Sequence, residues 1–107
     1  MRNGLLRLAA LGMMAAAVLH LIFIGFAGAG EVFYTGLAVL AAAGLWTGWR
    51  SIAWAVLLGI IVAMGVSAAR IGSDPVPDAL LLALVAVDAF AAVCTFFALW
   101  RKRAPAD

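Results

Sequence analysis

Four long apolar segments fill most of this sequence, and they constrain its fold more than any other feature. The breaks between them, at 28–31, 49–51 and 70–78, contain glycine, proline and charged residues that are unfavourable at the centre of a bilayer. Because an apolar helix of roughly 20 residues crosses the hydrocarbon core of a membrane, each segment predicts one transmembrane helix. The four predicted helices cover about residues 5–27, 31–48, 52–70 and 78–100.

The composition agrees with a membrane location. Of the 107 residues, 68% are hydrophobic and 11% are charged, whereas soluble domains have roughly 45–50% apolar and about 25% charged residues. The apolar residues surround each segment and do not alternate with polar ones, which favours helices over the strands of a β-barrel. We predict a single transmembrane domain over residues 1–107, folded as an all-α, up-and-down four-helix bundle. The first apolar segment is longer than the core of a signal peptide, so we expect it to be retained.

The basic residues and the tryptophans predict the orientation. If the N-terminus is cytoplasmic, Arg70 alone among the seven Lys and Arg residues lies outside, as the positive-inside rule requires. Trp46, Trp49, Trp54 and Trp100 all fall at the cytoplasmic ends of the predicted helices, where an amphipathic ring favours the interface. We therefore expect both the N-terminus and the C-terminus in the cytoplasm.

Two ionisable residues lie well inside the predicted helices, His20 in the first and Asp88 in the fourth. An Asp at the bilayer centre costs roughly 2.5–3.5 kcal/mol on insertion scales, so such residues normally face the bundle interior and find a partner. At 1.5 Å per residue, His20 lies roughly 9 Å and Asp88 roughly 13 Å below the outer boundary. The similar depths allow a His20–Asp88 hydrogen bond between neighbouring helices. Alternatively, His20 bonds a carbonyl or hydroxyl group and a protonated Asp88 bonds Ser67.

Small side chains accompany His20 and Asp88 on their helix faces. A narrow apolar cavity with a few polar groups suits a small lipophilic ligand. The residues predicted to contact such a ligand are His20, Asp88, Tyr34, Ser67 and Thr95. In the alternative interpretation the alanines let the helices pack tightly and leave no cavity.

The charged residues at the outer helix ends have ordinary explanations. Glu31 and Asp78 begin the second and fourth helices, where a carboxylate favours the positive end of the helix dipole. Arg70 and Asp74 are spaced to pair at the outer rim, with little effect on stability if they are exposed.

Several features of the sequence are similar, in order, to those of a known group. They are the basic start, the His20-bearing first span, "GWR" at 48–50, "ARIGSDPVPD" at 69–78 and the basic tail. Together they resemble the DoxX-like group of small four-helix bacterial membrane proteins. The resemblance covers most of the chain and implies a four-helix fold in a bacterial cytoplasmic (inner) membrane, but it transfers no catalytic residue. Small multidrug transporters are also similar in length, but they rely on a first-span glutamate where this chain has His20.

Three function classes fit these features. The first is a non-catalytic membrane module, either an accessory subunit or a binder of a small lipophilic ligand, with a polar site formed by His20 and Asp88. The second is an intramembrane enzyme on a lipophilic substrate, of the isomerase or cyclase type, that uses His20 and Asp88 as acid and base. The third is a proton-coupled small-molecule exporter that works as a dimer.

The expected partners follow from the same features. They are the lipid bilayer, a small lipophilic ligand, and either a second copy of the chain or a larger membrane complex. A formal net charge of +2 is too small to indicate nucleic acid binding. Cys94 is the only cysteine, so the chain alone provides no zinc or iron–sulfur ligand set, and we expect no metal and no cofactor.

Overall fold

The computed structural model describes residues 4–100, which form four α-helices joined by short connections. The helices are α1 (Gly4–Ala27), α2 (Glu31–Thr47), α3 (Arg50–Arg70) and α4 (Asp78–Trp100). The prediction of an all-α fold with four helices is confirmed, and the predicted ends differ from these by one or two residues at most. Arg2, Arg101, Lys102 and Arg103, which contributed to the predicted orientation, lie outside the described residues.

Three of the four helices, α1, α3 and α4, are long and apolar enough to span a membrane. The helix α2 is apolar as well but has only 17 residues, which corresponds to about 26 Å along its axis. Large apolar side chains are exposed on all four helices, among them Leu11, Leu40, Val62 and Phe97. Soluble monomers rarely expose apolar surface on this scale.

Contacts at the helix ends show that consecutive helices run in opposite directions. The Arg7 guanidinium, near the start of α1, lies 4.8 Å from the ring centroid of Trp46, near the end of α2. Arg50, at the start of α3, donates a hydrogen bond to the Leu99 carbonyl near the end of α4. Extensive packing joins α1 to α2 and α4, and α3 to α4, which is the up-and-down arrangement that the sequence predicts.

The two ends of the bundle differ in what they carry. The end with the α2–α3 turn is called the Trp49 end, and the end with the α1–α2 and α3–α4 connections is called the Glu31 end. The helices α2 and α3 approach each other closely near the Trp49 end, where a Cβ on Gly44 would lie 2.7 Å from Cγ2 of Ile52. Their mutual packing is otherwise slight, so the bundle is open between them towards the Glu31 end.

Gly44 and Gly48 are four residues apart, a spacing typical of close helix packing in membranes, and the structure gives them different roles. Gly44 lies against the neighbouring helix α3. Gly48 ends α2 with φ 77° and donates its N–H to the Leu45 carbonyl, a left-handed C-terminal conformation that glycine adopts without strain.

We predict that Gly44→Ala destabilises the bundle by about 1–3 kcal/mol, because the added methyl group overlaps the Ile52 side chain. Thermal unfolding in detergent measures the effect. The double variant Gly44→Ala/Ile52→Ala should lose less stability than the sum of the two single variants, because the shorter side chain at position 52 removes the overlap. Gly36→Ala is the matched control, since a Cβ at Gly36 meets no atom within 4 Å. Equal losses for the two glycine variants would contradict the close approach.

Candidate functional site

A cleft lies between α2 and α3 on the open side of the bundle. It has two lobes, with volumes of about 210 Å³ and about 440 Å³, and the larger lobe alone falls within the range of roughly 300–1,000 Å³ that is typical of small-molecule sites. The smaller lobe reaches Asp88 and is called the Asp88 lobe, and the larger reaches Arg70 and is called the Arg70 lobe. The lobes form one cleft because they share His20, Tyr34, Leu37, Gly59 and Ala63.

The walls of the cleft are mainly apolar, with a small number of polar groups. Tyr34 and His20 face both lobes, whereas Asp88 lines only the first and Ser67 only the second. On α3 the wall includes Gly59, where a Cβ would meet nothing within 4 Å. The missing side chain at this position leaves space in the cleft, so the alternative of tightly packed alanines without a cavity does not describe this side of the bundle.

A buried carboxylate at the Glu31 end joins three helices. The Glu31 side chain, in a residue only 5% exposed, places Oε1 3.0 Å from Nδ1 of His20 on α1. Its Oε2 accepts a hydrogen bond of 3.0 Å from Nη2 of Arg70 on α3. Arg70 also donates to Asp74 through Nε at 2.6 Å and through Nη2 at 3.0 Å. These four residues are called the Glu31 network.

Aromatic rings hold the histidine in place. The His20 ring stacks on Tyr34, with centroids 5.6 Å apart and an interplanar angle of 26°, and it meets the fully buried Phe23 edge-on at 5.5 Å. The guanidinium of Arg70 lies 5.9 Å from the Phe23 centroid. Since the Glu31 carboxylate accepts hydrogen bonds, the His20 proton belongs on Nδ1. In the neutral ring Nε2 is then left as an acceptor.

The α3–α4 connection folds over the Glu31 network. Asp74 accepts a hydrogen bond from the backbone N–H of Val76 at 3.0 Å, and Asp78 accepts one from the N–H of Gly72 at 2.9 Å. The hydrogen bond from Arg70, and after it the one from Val76, lowers the pKa of the Asp74 carboxyl from its ordinary value. The i, i+4 pair of Arg70 and Asp74 that the sequence predicts is therefore present, as part of a larger network.

Asp88 has a different environment. The residue is only 2% exposed and lines the Asp88 lobe, and no side-chain hydrogen bond joins it to any group within residues 4–100. The hypothesised His20–Asp88 hydrogen bond is not seen within residues 4–100, where the bonded side chain across from His20 Nδ1 is Glu31. The alternative bond to Ser67 is also absent from this part of the chain, since Ser67 lines the other lobe.

The structure brings four of the five predicted ligand-contacting residues to the cleft. These are His20, Tyr34, Ser67 and Asp88. The fifth, Thr95, is fully buried and donates a 2.7 Å hydrogen bond to the Ala91 carbonyl one turn earlier in α4. The Thr95 hydroxyl is therefore used within its own helix.

Sequence reasoning missed Glu31 and Arg70 as members of the site. The sequence places both residues at helix ends. There the helix dipole is a sufficient reason for the Glu31 carboxylate, and the neighbouring Asp74 is a sufficient reason for the Arg70 guanidinium. The available signal was that Glu31 is the first residue of α2 after a very short connection, so its long side chain can reach back along α1 to His20.

Within residues 4–100, no group of three or more His, Cys, Asp or Glu side chains is arranged to hold a metal ion. Comparisons of the sequence with protein-family models, with curated proteins and with solved structures found no match. The resemblance to the DoxX-like group stays a prediction, and the site is defined by its geometry.

We predict that His20→Ala and Glu31→Ala each lower the free energy of unfolding by about 1.5–3 kcal/mol, as expected for hydrogen bonds to a charged group. Because the two residues are partners, the double variant should lose clearly less than the sum. Unfolding in mixed detergent micelles measures all three variants. The same cycle on His20 and Asp88 is the control, and stronger coupling there than between His20 and Glu31 would contradict the observed pairing.

We predict that Asp74 stabilises the α3–α4 connection at neutral pH and loses this effect in acid. A carboxyl whose pKa is lowered by folding contributes fully above its unfolded value of about 4, and the contribution disappears as the pH falls through the folded value. Asp74→Asn should therefore melt at a lower temperature than the native chain at about pH 7, and the difference should shrink at about pH 2. A difference independent of pH would show that the Asp74 charge is not involved.

Proposed function

We propose that this protein is a multi-pass membrane protein that acts as a non-catalytic binder of a small lipophilic molecule, which occupies the cleft between α2 and α3. The observation that carries the proposal is the cleft itself, an apolar space with a few polar groups at defined positions. Sites for small molecules generally combine these two properties.

The proposed membrane location rests on the exterior of the bundle and on the helix lengths. Three helices are long and apolar enough to cross a bilayer, and large apolar side chains cover the outer surface. The cleft is lined by several turns of α2 and α3, two helices that pack little against each other. A lipophilic molecule dissolved in the bilayer would therefore enter from the lipid.

The proposed orientation, with both termini in the cytoplasm, rests on the charges and the tryptophans. Arg70 lies at the Glu31 end, whereas Arg7 and Arg50 lie at the Trp49 end. This asymmetry supports a cytoplasmic Trp49 end. A bacterial inner membrane is part of the same proposal and rests on the resemblance to the DoxX-like group.

Fixed polar groups would orient the ligand within the cleft. His20 is held by Glu31, Tyr34 and Phe23, so its Nε2 has a defined position before any ligand arrives. Tyr34 and Ser67, two residues that carry hydroxyl groups, also line the cleft. A site whose side chains are already ordered loses less conformational entropy on binding.

An intramembrane enzyme receives less support from this geometry. The acid–base mechanism requires His20 and Asp88 to act on the same substrate, and no hydrogen bond joins these two side chains within residues 4–100. Binding without chemistry requires only the space and the polar groups that are present.

The proposal is tested with the neutral fluorophore N-phenyl-1-naphthylamine, counted as a bound adduct by native mass spectrometry of the protein released from detergent. We expect saturable 1:1 binding to the native chain. Gly59→Leu places a side chain in the open space of the cleft and should weaken binding by about tenfold or more, equivalent to about 1.4 kcal/mol.

Gly65→Leu is the matched control for this experiment. Gly65 is also on α3, a Cβ there meets nothing within 4 Å, and the residue lines neither lobe of the cleft. Its variant should bind the probe as the native chain does. Equal losses in the two variants, or no saturable binding to the native chain, would contradict the proposed site.

A further inference from the structure

We propose that the ligand of the cleft is a lipophilic amine in its protonated form, whose ammonium group pairs with the Asp88 carboxylate. This inference rests on the proposed function and adds the chemical class of the ligand. It is carried by the contrast between Asp88 and the other buried polar groups of the bundle, and by the charge balance of the cleft.

Within residues 4–100, the Asp88 carboxyl has no hydrogen-bonding role in the fold. Both oxygens of the buried Glu31 carboxylate have partners on other helices, and the buried Thr95 hydroxyl bonds a carbonyl of its own helix. Asp88 is as buried as these residues, yet no side-chain hydrogen bond joins it to another group in residues 4–100. A structural role would normally give a buried carboxyl a partner.

Asp88 faces an apolar part of the cleft. The side chains that share its lobe are mostly apolar, among them Met13, Ala16, Val56 and Ile60. An ionised carboxylate in such surroundings is strongly unfavourable without a partner. The group must therefore either carry a proton or be paired with a positive charge that the ligand brings.

The cleft is unsuited to an anionic ligand. Arg70 is the only Lys or Arg side chain that lines either described lobe, and its guanidinium already bonds the carboxylates of Glu31 and Asp74. The Glu31 network has two acidic side chains, Glu31 and Asp74, for the one guanidinium of Arg70. Asp88 adds further acidic character, so electrostatic complementarity favours a cation.

The two lobes match the amine group and the apolar body of a lipophilic amine. The Asp88 lobe, of about 210 Å³, accommodates the amine and the atoms next to it, and the Arg70 lobe, of about 440 Å³, accommodates an apolar body. An ammonium N–H donates a charge-assisted hydrogen bond to a carboxylate. Tyr34, an aromatic residue of the kind that attracts cations, lines both lobes.

Binding of the protonated amine to a protonated Asp88 releases the carboxyl proton to solvent, and the two charges then form the ion pair. Amine affinity should therefore fall on acidification, by up to about tenfold per pH unit where Asp88 carries the proton. The other titratable groups that face this lobe are His20 from α1 and Tyr34 from α2, and none of its lining residues on α3 titrates. Protonation of His20 would add a positive charge and act in the same direction.

The test uses three probes that share one ring system and differ in a single group: 1-naphthylmethylamine, 1-naphthalenemethanol and 1-naphthoate. Each competes with N-phenyl-1-naphthylamine for the native chain at about pH 7, where the amine is a cation and the acid an anion. We expect the amine to bind at least about tenfold more tightly than the alcohol, and the naphthoate to bind most weakly. An alcohol that binds as tightly as the amine would overturn the inference without any variant being made.

Asp88→Asn then separates charge from shape, because the amide has nearly the same size as the carboxyl group. We expect the affinity for the amine to fall by about tenfold or more, to that of the alcohol, while the affinity for the alcohol stays unchanged. Asp78→Asn, which removes a carboxylate at the start of α4 away from the cleft lining, should change neither. An amine preference that survives Asp88→Asn would also overturn the inference.

The outcomes distinguish the inference from the proposed function on which it rests. Saturable binding of N-phenyl-1-naphthylamine without a preference for the amine leaves the cleft as a ligand site and rejects Asp88 as an ammonium partner. Absence of saturable binding for every probe rejects both.

Discussion

The hydrogen bonds of one buried carboxylate determine much of this structure. Glu31 bonds His20 on α1 and Arg70 on α3, and so connects α2 to both of its neighbours at one end of the bundle. At the other end α2 and α3 are close because Gly44 has no side chain. Between these two points the helices pack little, and the cleft occupies the space. Its width is therefore set by an ionic contact at one end and by a steric contact at the other, while α1 and α4 form its floor.

The features that the sequence predicts well are those determined locally. Helix number and helix ends follow from the length of each apolar segment and from the glycine, proline and charged residues between them, and the close approach at Gly44 follows from helical spacing. The partner of His20 does not follow, because depth along a helix says nothing about rotation around its axis. His20 and Asp88 do line one cavity, as their similar depth indicates. Glu31 was interpreted from its own helix alone, although its burial depends on the end of α3, nearly forty residues later.

The polar groups of the bundle fall into two sets with different consequences. In the Glu31 network each charged group has a partner, and such a network fixes the relative positions of the elements it joins. Asp88 has none among the described residues, and an unpaired ionisable group inside a membrane is more typical of function than of folding. The exporter hypothesis and the amine proposal share this residue, since both assign it the exchange of a proton for another positive charge. They differ in whether the cleft becomes accessible from two sides of the membrane.

In the proposed membrane location, the short α2 helix affects the lipid around the protein. Its 17 residues correspond to about 26 Å, whereas a typical hydrocarbon core is about 30 Å thick. Lipid chains next to α2 must shorten or tilt to match it, while those beside the longer α1, α3 and α4 need not. The proposed location would thus thin the bilayer beside α2, the helix that forms one wall of the cleft. Acyl chains there are less regularly packed, which eases the lateral passage of a hydrophobic molecule and favours residence in thin membranes.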